Sequence, residues 1–249
     1  MKNKLVILSI LFSCFFYQIT DVYGQKEANT LLTKMDEISF GIKDKSATLK
    51  MVMVNLKTGK QEVKKAILFQ KDADKKLFRY TFPRADSGIA TLSLPNDEVY
   101  LYLPLFKNPK KITNLAENNT YNKSDFSFED MATRSYQKKY IPELITATDT
   151  SYVMDLKPKW VNSSYSHVIV TQDKNYFYPE RLEYYNKKNQ KVKEAFYHFT
   201  KLQDYWIADT VFITDLKKQH RTKIIMSEIK INSGLKDDLF SVKNLKAMF

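Results

Sequence analysis

Over most of its length beyond Lys45 the chain repeats one pattern: short runs of alternating side-chain character, closed by turns rich in Asn, Asp, Gly and Lys. A period of two belongs to a strand, whose successive side chains point to opposite faces. Leu49, Met51 and Met53 point one way, and Val52, Val54 and Leu56 the other. A turn containing Thr58-Gly59 leads into Val63–Lys71, the returning strand of a hairpin. Lys76–Phe82 sets Leu77, Arg79 and Thr81 against Phe78, Tyr80 and Phe82, and Ile89–Leu94 and Val99–Leu103 flank a Pro95-Asn96-Asp97 turn. Tyr152–Leu156, Tyr165–Thr171, Arg181–Tyr185, Val192–Leu202, Trp206–Leu216 and Arg221–Ile231 continue the pattern. No regular strand–helix alternation appears, which argues against a parallel α/β fold. The expectation is roughly nine to eleven antiparallel strands in sequential hairpins.

Two segments break the period. Ala28–Ile38 spaces Leu31, Leu32, Met35 and Ile38 along one helix face, and Phe40-Gly41 ends it. Between Pro104 and about Pro142 the alternation fades over about 38 residues, longer than a routine connection. This reads as a lid or excursion with short helices. Several strands are apolar on both faces. A sandwich buries one face of each strand, whereas a strongly curved sheet with a helix across its hollow buries much of both.

The first residues follow the order of a secretory signal: Lys2 and Lys4, the apolar run Leu5–Tyr17, then Val22-Tyr23-Gly24 before the expected cleavage. The expected division is a signal peptide over 1–24 and a single domain over 25–249, exported to the periplasm or the outer membrane. Leu11-Phe12-Ser13-Cys14 resembles a lipoprotein box, but Phe12 and the Phe15-Phe16-Tyr17 that follow disfavour lipidation at Cys14. Without Cys14 the processed chain has no thiol for a disulfide, a nucleophile or a metal. The 40 basic and 28 acidic residues give a net charge of +12. That excess favours anionic partners such as membrane headgroups. Export argues against nucleic acid, and a solvated lysine-rich surface is the plain alternative.

Catalytic signals are sparse. His167 and His198 fall inside strands with no metal-ligand spacing, and His220 sits in a Lys- and Gln-rich turn where solvation is expected. Glu129-Asp130 and Asp237-Asp238 read as adjacent acids on a surface helix or turn, there for capping or solvation. No Gly-x-Ser-x-Gly elbow and no phosphate-cradling glycine loop is present. The expectation is a protein that is not an enzyme, with no cofactor and no metal. A hydrolase would need His167 or His198 within reach of Ser or Asp in a cleft. Apolar recognition has more support. Met51, Met53, Phe78, Tyr80 and Phe82 could line a soft cavity, and Leu101-Tyr102-Leu103-Pro104-Leu105-Phe106 is greasy for a strand running into a loop. An ordinary core is the competing reading of the same residues.

Tyr102-Leu103-Pro104-Leu105-Phe106, Lys110-Lys111-Ile112, Ser124-Asp125-Phe126-Ser127-Phe128-Glu129-Asp130-Met131, Pro179–Tyr185 and Leu239–Leu245 occur in this order over most of the chain. In these segments the sequence resembles the outer-membrane lipoprotein-sorting proteins, relatives of the carriers LolA and LolB. Lys110-Lys111 departs from the family, where arginine is commoner; charge is kept and the bidentate fork lost. The resemblance implies a mainly β fold with an α lid: an incomplete, half-open antiparallel β-barrel wrapped around an apolar cavity. It implies a carrier for acyl chains of lipidated protein or lipid, with an inner-membrane transporter and the outer membrane as further partners. The implied ligand-binding residues are Met51, Met53, Phe78, Tyr80, Phe82, Leu101 and Leu103 in the cavity, with Phe126 and Phe128 on the lid. A non-enzymatic envelope module docking on an anionic membrane or a membrane transporter is the alternative of a different class.

Overall fold

The structure, a computed structural model, describes residues 24–112, 124–131 and 135–246. Cys14 and all of the expected signal peptide but Gly24 lie outside the described residues. The first half of the sheet contains β1 (Asp44–Asn55), β2 (Gln61–Lys71), β3 (Lys75–Phe82), β4 (Ala90–Leu94), β5 (Glu98–Tyr102) and β6 (Lys110–Ile112). The second contains β7 (Tyr140–Ala147), β8 (Ser151–Pro158), β9 (Tyr165–Asp173), β10 (Pro179–Asn186), β11 (Lys191–Leu202), β12 (Tyr205–Asp215) and β13 (His220–Ile231). Within each half every strand pairs antiparallel with its neighbour in sequence. One long-range pairing, β1 with β13, joins the halves, with Leu49 opposite Met226 and Met51 opposite Ile224. The sheet therefore runs from β6 at one edge to β7 at the other and stays open between them.

The described sheet has 13 strands, more than expected, because β6 falls in the stretch read as irregular and β7 begins at its end. β6 is three residues long, too short to show a period. β7 carries Pro142, which an edge strand tolerates because it needs no hydrogen bond on its outer side.

The helix α1 covers residues 24–40. Ala28, Leu31, Leu32 and Met35 form its buried stripe against Met154, Leu156, Val168, Val170 and Leu182 of β8–β10. Each larger side chain contributes about 1.5–3 kcal/mol on burial. Gly41 lets the chain leave the helix: a Cβ there would lie 2.3 Å from the Glu37 carbonyl oxygen. Two single-turn helices follow β6, α2 (Phe128–Met131) and α3 (Tyr136–Lys139). The Asp36 carboxylate of α1 accepts the backbone N–H groups of Tyr136 (2.6 Å) and Gln137 (2.9 Å), tying α3 to the helix.

Both sheet faces are covered in the first half. Ala47, Leu49, Met51, Ala66, Leu68, Phe78 and Tyr80 share the inner face. On the outer face Leu77, Ala90 and Leu92 receive Phe240 and Leu245 from two 3-10 turns near the C-terminus. Arg79, also facing outward, donates to the Leu245 carbonyl (2.9 Å). The chain beyond Gly234 thus covers the outer face.

Candidate ligand-binding hollow

The sheet curls until distant strands face each other. One cavity of about 140 Å³ is lined by Gln70 and Lys76 of β2 and β3 and, across from them, Tyr140, Tyr165 and Tyr184 of β7, β9 and β10. A second, of about 120 Å³, lies under the end of α1 between Ile38, Phe40, Ile42 and Lys45 on one side and Phe199, Trp206 and Ile207 on the other. Phe40, Tyr136 and Tyr197 line both. Tyr197 and Ala208 of the second cavity also pack against the Met51–Phe78 cluster, so this cavity and the inner face of the first half share those two side chains. A larger cleft of about 270 Å³ opens at the strand ends among Ser127, Asn186, Asp215, Lys217 and Lys218. Its lining is mixed, with Tyr165 and Val192 beside Lys193, Lys217 and Lys218.

Most of the expected cavity residues lie together. Met51, Met53, Phe78 and Tyr80 are buried, and Leu101 packs on the same cluster. Phe126 rests between that cluster and the one under α1. Phe82 does not join them: it is 48% exposed. Between β2 and β3 the pairing steps from Ala66–Tyr80 to Lys65–Phe82, and the extra residue on β3 turns Phe82 to the other face. Leu103 stands just past β5, half-buried. The side chain of Phe128 lies outside the described part of the molecule.

The hollow is more polar at its centre than the sequence suggested. Burial holds the phenols of Tyr136, Tyr140, Tyr165 and Tyr184 well above their usual range, so all four stay protonated. Tyr197 is pushed up to about 12 by burial and the Asp130 charge. Lys45 and Lys76 also face inward, and burial pulls their ammonium groups down to about 8 and about 7.

The segment 124–131 is fixed to the sheet through its acids. Asp125 accepts from His220 Nδ1 (2.8 Å) and from the Thr222 hydroxyl (2.7 Å) of β13. Glu129 accepts from the Ser163 hydroxyl (2.6 Å) and the Ser164 N–H (2.9 Å). Asp130 accepts from Lys193 Nζ (2.6 Å) and Tyr165 OH (3.0 Å). Ser127 and Asp130 cap each other at the start of α2, Ser127 N–H donating at 2.8 Å and its hydroxyl accepting from Asp130 N–H at 3.2 Å. Burial opposes the Asp130 charge, but Lys193 and Ser127 outweigh it and hold the carboxyl below its ordinary value. Of the two roles expected for Glu129-Asp130, Asp130 does cap a helix, but the pair is not solvated, and His220 is not a solvated turn residue. Their partners lie 34 to 95 positions away, a separation no local pattern reveals.

The histidines are held apart by the sheet. His167 Nδ1 meets its neighbour Ser166 (3.0 Å) and its ring stacks on Tyr185. His198, 70% exposed, pairs with Asp209 (2.8 Å). Neither lines the two cavities under α1. Among the described residues no group of three His, Cys, Asp or Glu side chains could hold a metal ion, and no helix is long and apolar enough to cross a membrane.

This open, curled antiparallel sheet with helices on its inner side is a LolA/LolB-like fold. It superposes on a domain from Vibrio parahaemolyticus described as an outer-membrane lipoprotein-sorting protein, with a TM-score of 0.82 at 24% identity over 90% of this chain and 100% of that one. A DUF1329 family protein from Desulfovibrio piger gives 0.81 at 21% identity, covering 89% and 99%. A LolA superfamily protein from Nitrosomonas europaea gives 0.72 at 20% identity, covering 86% and 97%. At these identities the likeness is one of fold. Residues 72–247 match a family described as uncharacterized protein, and the chain belongs to that family. No curated protein matches it.

Proposed function

We propose that the chain is an exported, non-enzymatic carrier that shelters the acyl chain of a lipidated protein or lipid in this hollow on its way to the outer membrane. The observation that carries the reading is the slot under the end of α1, two of whose lining residues, Tyr197 and Ala208, pack directly on the apolar inner face around Met51 and Phe78. Each CH₂ moved there from water contributes about 0.8 kcal/mol. The two cavities are small, so a long chain needs α1 or the 124–131 segment to shift, as a carrier that must also release its load requires. In this reading 1–24 is the removed signal, 25–249 the working domain in the periplasm, and Met51, Met53, Phe78, Tyr80, Leu101 and Phe126 the wall of the acyl site. Phe82 and Leu103 stand at one end of it, and an inner-membrane transporter and the outer membrane are the donor and acceptor. The relatives support the reading through one described sorting domain and one LolA superfamily protein. Organic extraction of the protein purified from an envelope fraction, followed by mass spectrometry, should yield fatty-acyl species, and a fluorescent fatty acid should bind and be competed off. Finding no extracted lipid and no displaceable probe would remove the proposal.

A further inference from the structure

Lys45, Gln70 and Lys76 stand opposite one another in a single row across β1, β2 and β3. All three share the inner face with Ala47, Leu68 and Phe78, which places two lysines where the alternation otherwise puts apolar side chains. Their backbones are two strand spacings apart, roughly 10 Å, within reach of one small group held between two extended lysine side chains. Gln70 between them donates to the Asp72 carbonyl (3.3 Å). Among the described residues no carboxylate is bonded to either ammonium group. Lys64, also on this face, is different: it pairs with Asp86 at 2.9 Å.

An ammonium group turned into a hollow with no anion bonded to it is unusual, because it gives up water for apolar neighbours. Lys45 and Lys76, both half-buried, each line one of two cavities that share the walls Phe40, Tyr136 and Tyr197. Lys139 lines the same cavity as Lys76 and adds to the positive potential there. The acids on that cavity, Glu129 and Asp130, are engaged elsewhere, by Ser163 and Ser164 and by Lys193. The tyrosines around it stay neutral.

We propose that Lys45 and Lys76 form a headgroup site for the anionic end of an acyl ligand, a fatty-acid carboxylate or an alkyl phosphate, whose tail enters the slot beneath α1. The proposal rests on the carrier reading and narrows it: the preferred guest is a single-chain anionic amphiphile rather than any greasy chain. Because burial has drawn both ammonium groups toward neutrality, an arriving anion raises their proton affinity, and binding takes up protons.

The test uses the processed protein loaded with the uncharged fluorophore N-phenylnaphthylamine, displaced in parallel by palmitate, cetyl phosphate and cetyl alcohol. Palmitate or cetyl phosphate should bind at least about tenfold more tightly than the alcohol, and whichever is stronger identifies the headgroup. Lys76→Met and Lys45→Met should each remove most of that preference, read as the ratio of anion to alcohol affinity within the same variant. The anion preference should also fall between about pH 7 and about pH 9, as both lysines lose their protons. In the empty protein Lys76→Met should raise the melting temperature by about 3 °C, the opposite of what loss of a structural ion pair produces. Equal binding of the alcohol and both anions to the unmodified protein overturns the headgroup site and leaves the carrier standing. Displacement by none of the three overturns both.

Discussion

Under α1 the wall formed by β8–β10 meets the helix through Leu31, Leu32 and Met35, all buried among aliphatic side chains. Alongside it, the segment 124–131 is held by three carboxylates on hydroxyls, a backbone amide, a histidine and a lysine. These two covers of the same hollow differ in what sustains them. Apolar burial has no direction and does not respond to protonation. The ion pair and its hydrogen bonds fix a geometry and disappear when a carboxylate is neutralised. The helix is therefore the cover whose hold does not depend on pH, and the acidic segment the one whose grip does.

The largest blow to that contrast comes from Asp130→Ala. It leaves Lys193 buried beside Tyr165 without its anion, and unfolding should become easier by about 3–5 kcal/mol in urea titration. The folded carboxyl of Asp130 titrates below 3.8, its ordinary value. Its contribution is complete above that value and is lost as pH falls through the lower folded one, so an Asp130→Asn protein should lack part of the acid limb of the stability curve. Leu32→Ala tests the other cover. It should cost about 3 kcal/mol by leaving a void against the sheet, with the same loss at neutral and mildly acid pH. The smallest effect belongs to Asp209→Asn. It removes the partner of the exposed His198 and should change stability by less than about 0.5 kcal/mol, which thermal melts will register as no significant shift.

Much of this architecture is legible in the amino-acid sequence. The alternation from Lys45 onward marks eleven of the strands, because each is long enough to show its period and ends in a turn residue. The stripe Leu31, Leu32 and Met35 marks the helix and the face it buries. The short β6 and the proline-bearing edge β7 show no such period. The polar pins of 124–131 are invisible for another reason: Asp130 finds Lys193 only once β7 to β11 have paired in order, and adjacent acids look alike whether solvated or buried. Lys45 and Lys76 are an intermediate case. Each has the parity of the apolar face of its strand, a signal that is present in the sequence but submerged among many surface lysines. Phe82 shows the reverse, where strict alternation points inward and a one-residue bulge turns the ring outward.

That a guest chain lies between α1 and the inner face of the sheet is tested most directly by photo-crosslinking. A palmitate analogue with a diazirine near its methyl end would be bound, irradiated, and its adducts located by peptide mass spectrometry. Labels should fall on the end of α1 and on inward residues of β1, β11 and β12, among them Phe40, Met51, Phe199 and Trp206. Labels confined to the outer face around Leu77, Leu92 and Phe240, or no specific label at saturating probe, would contradict the account.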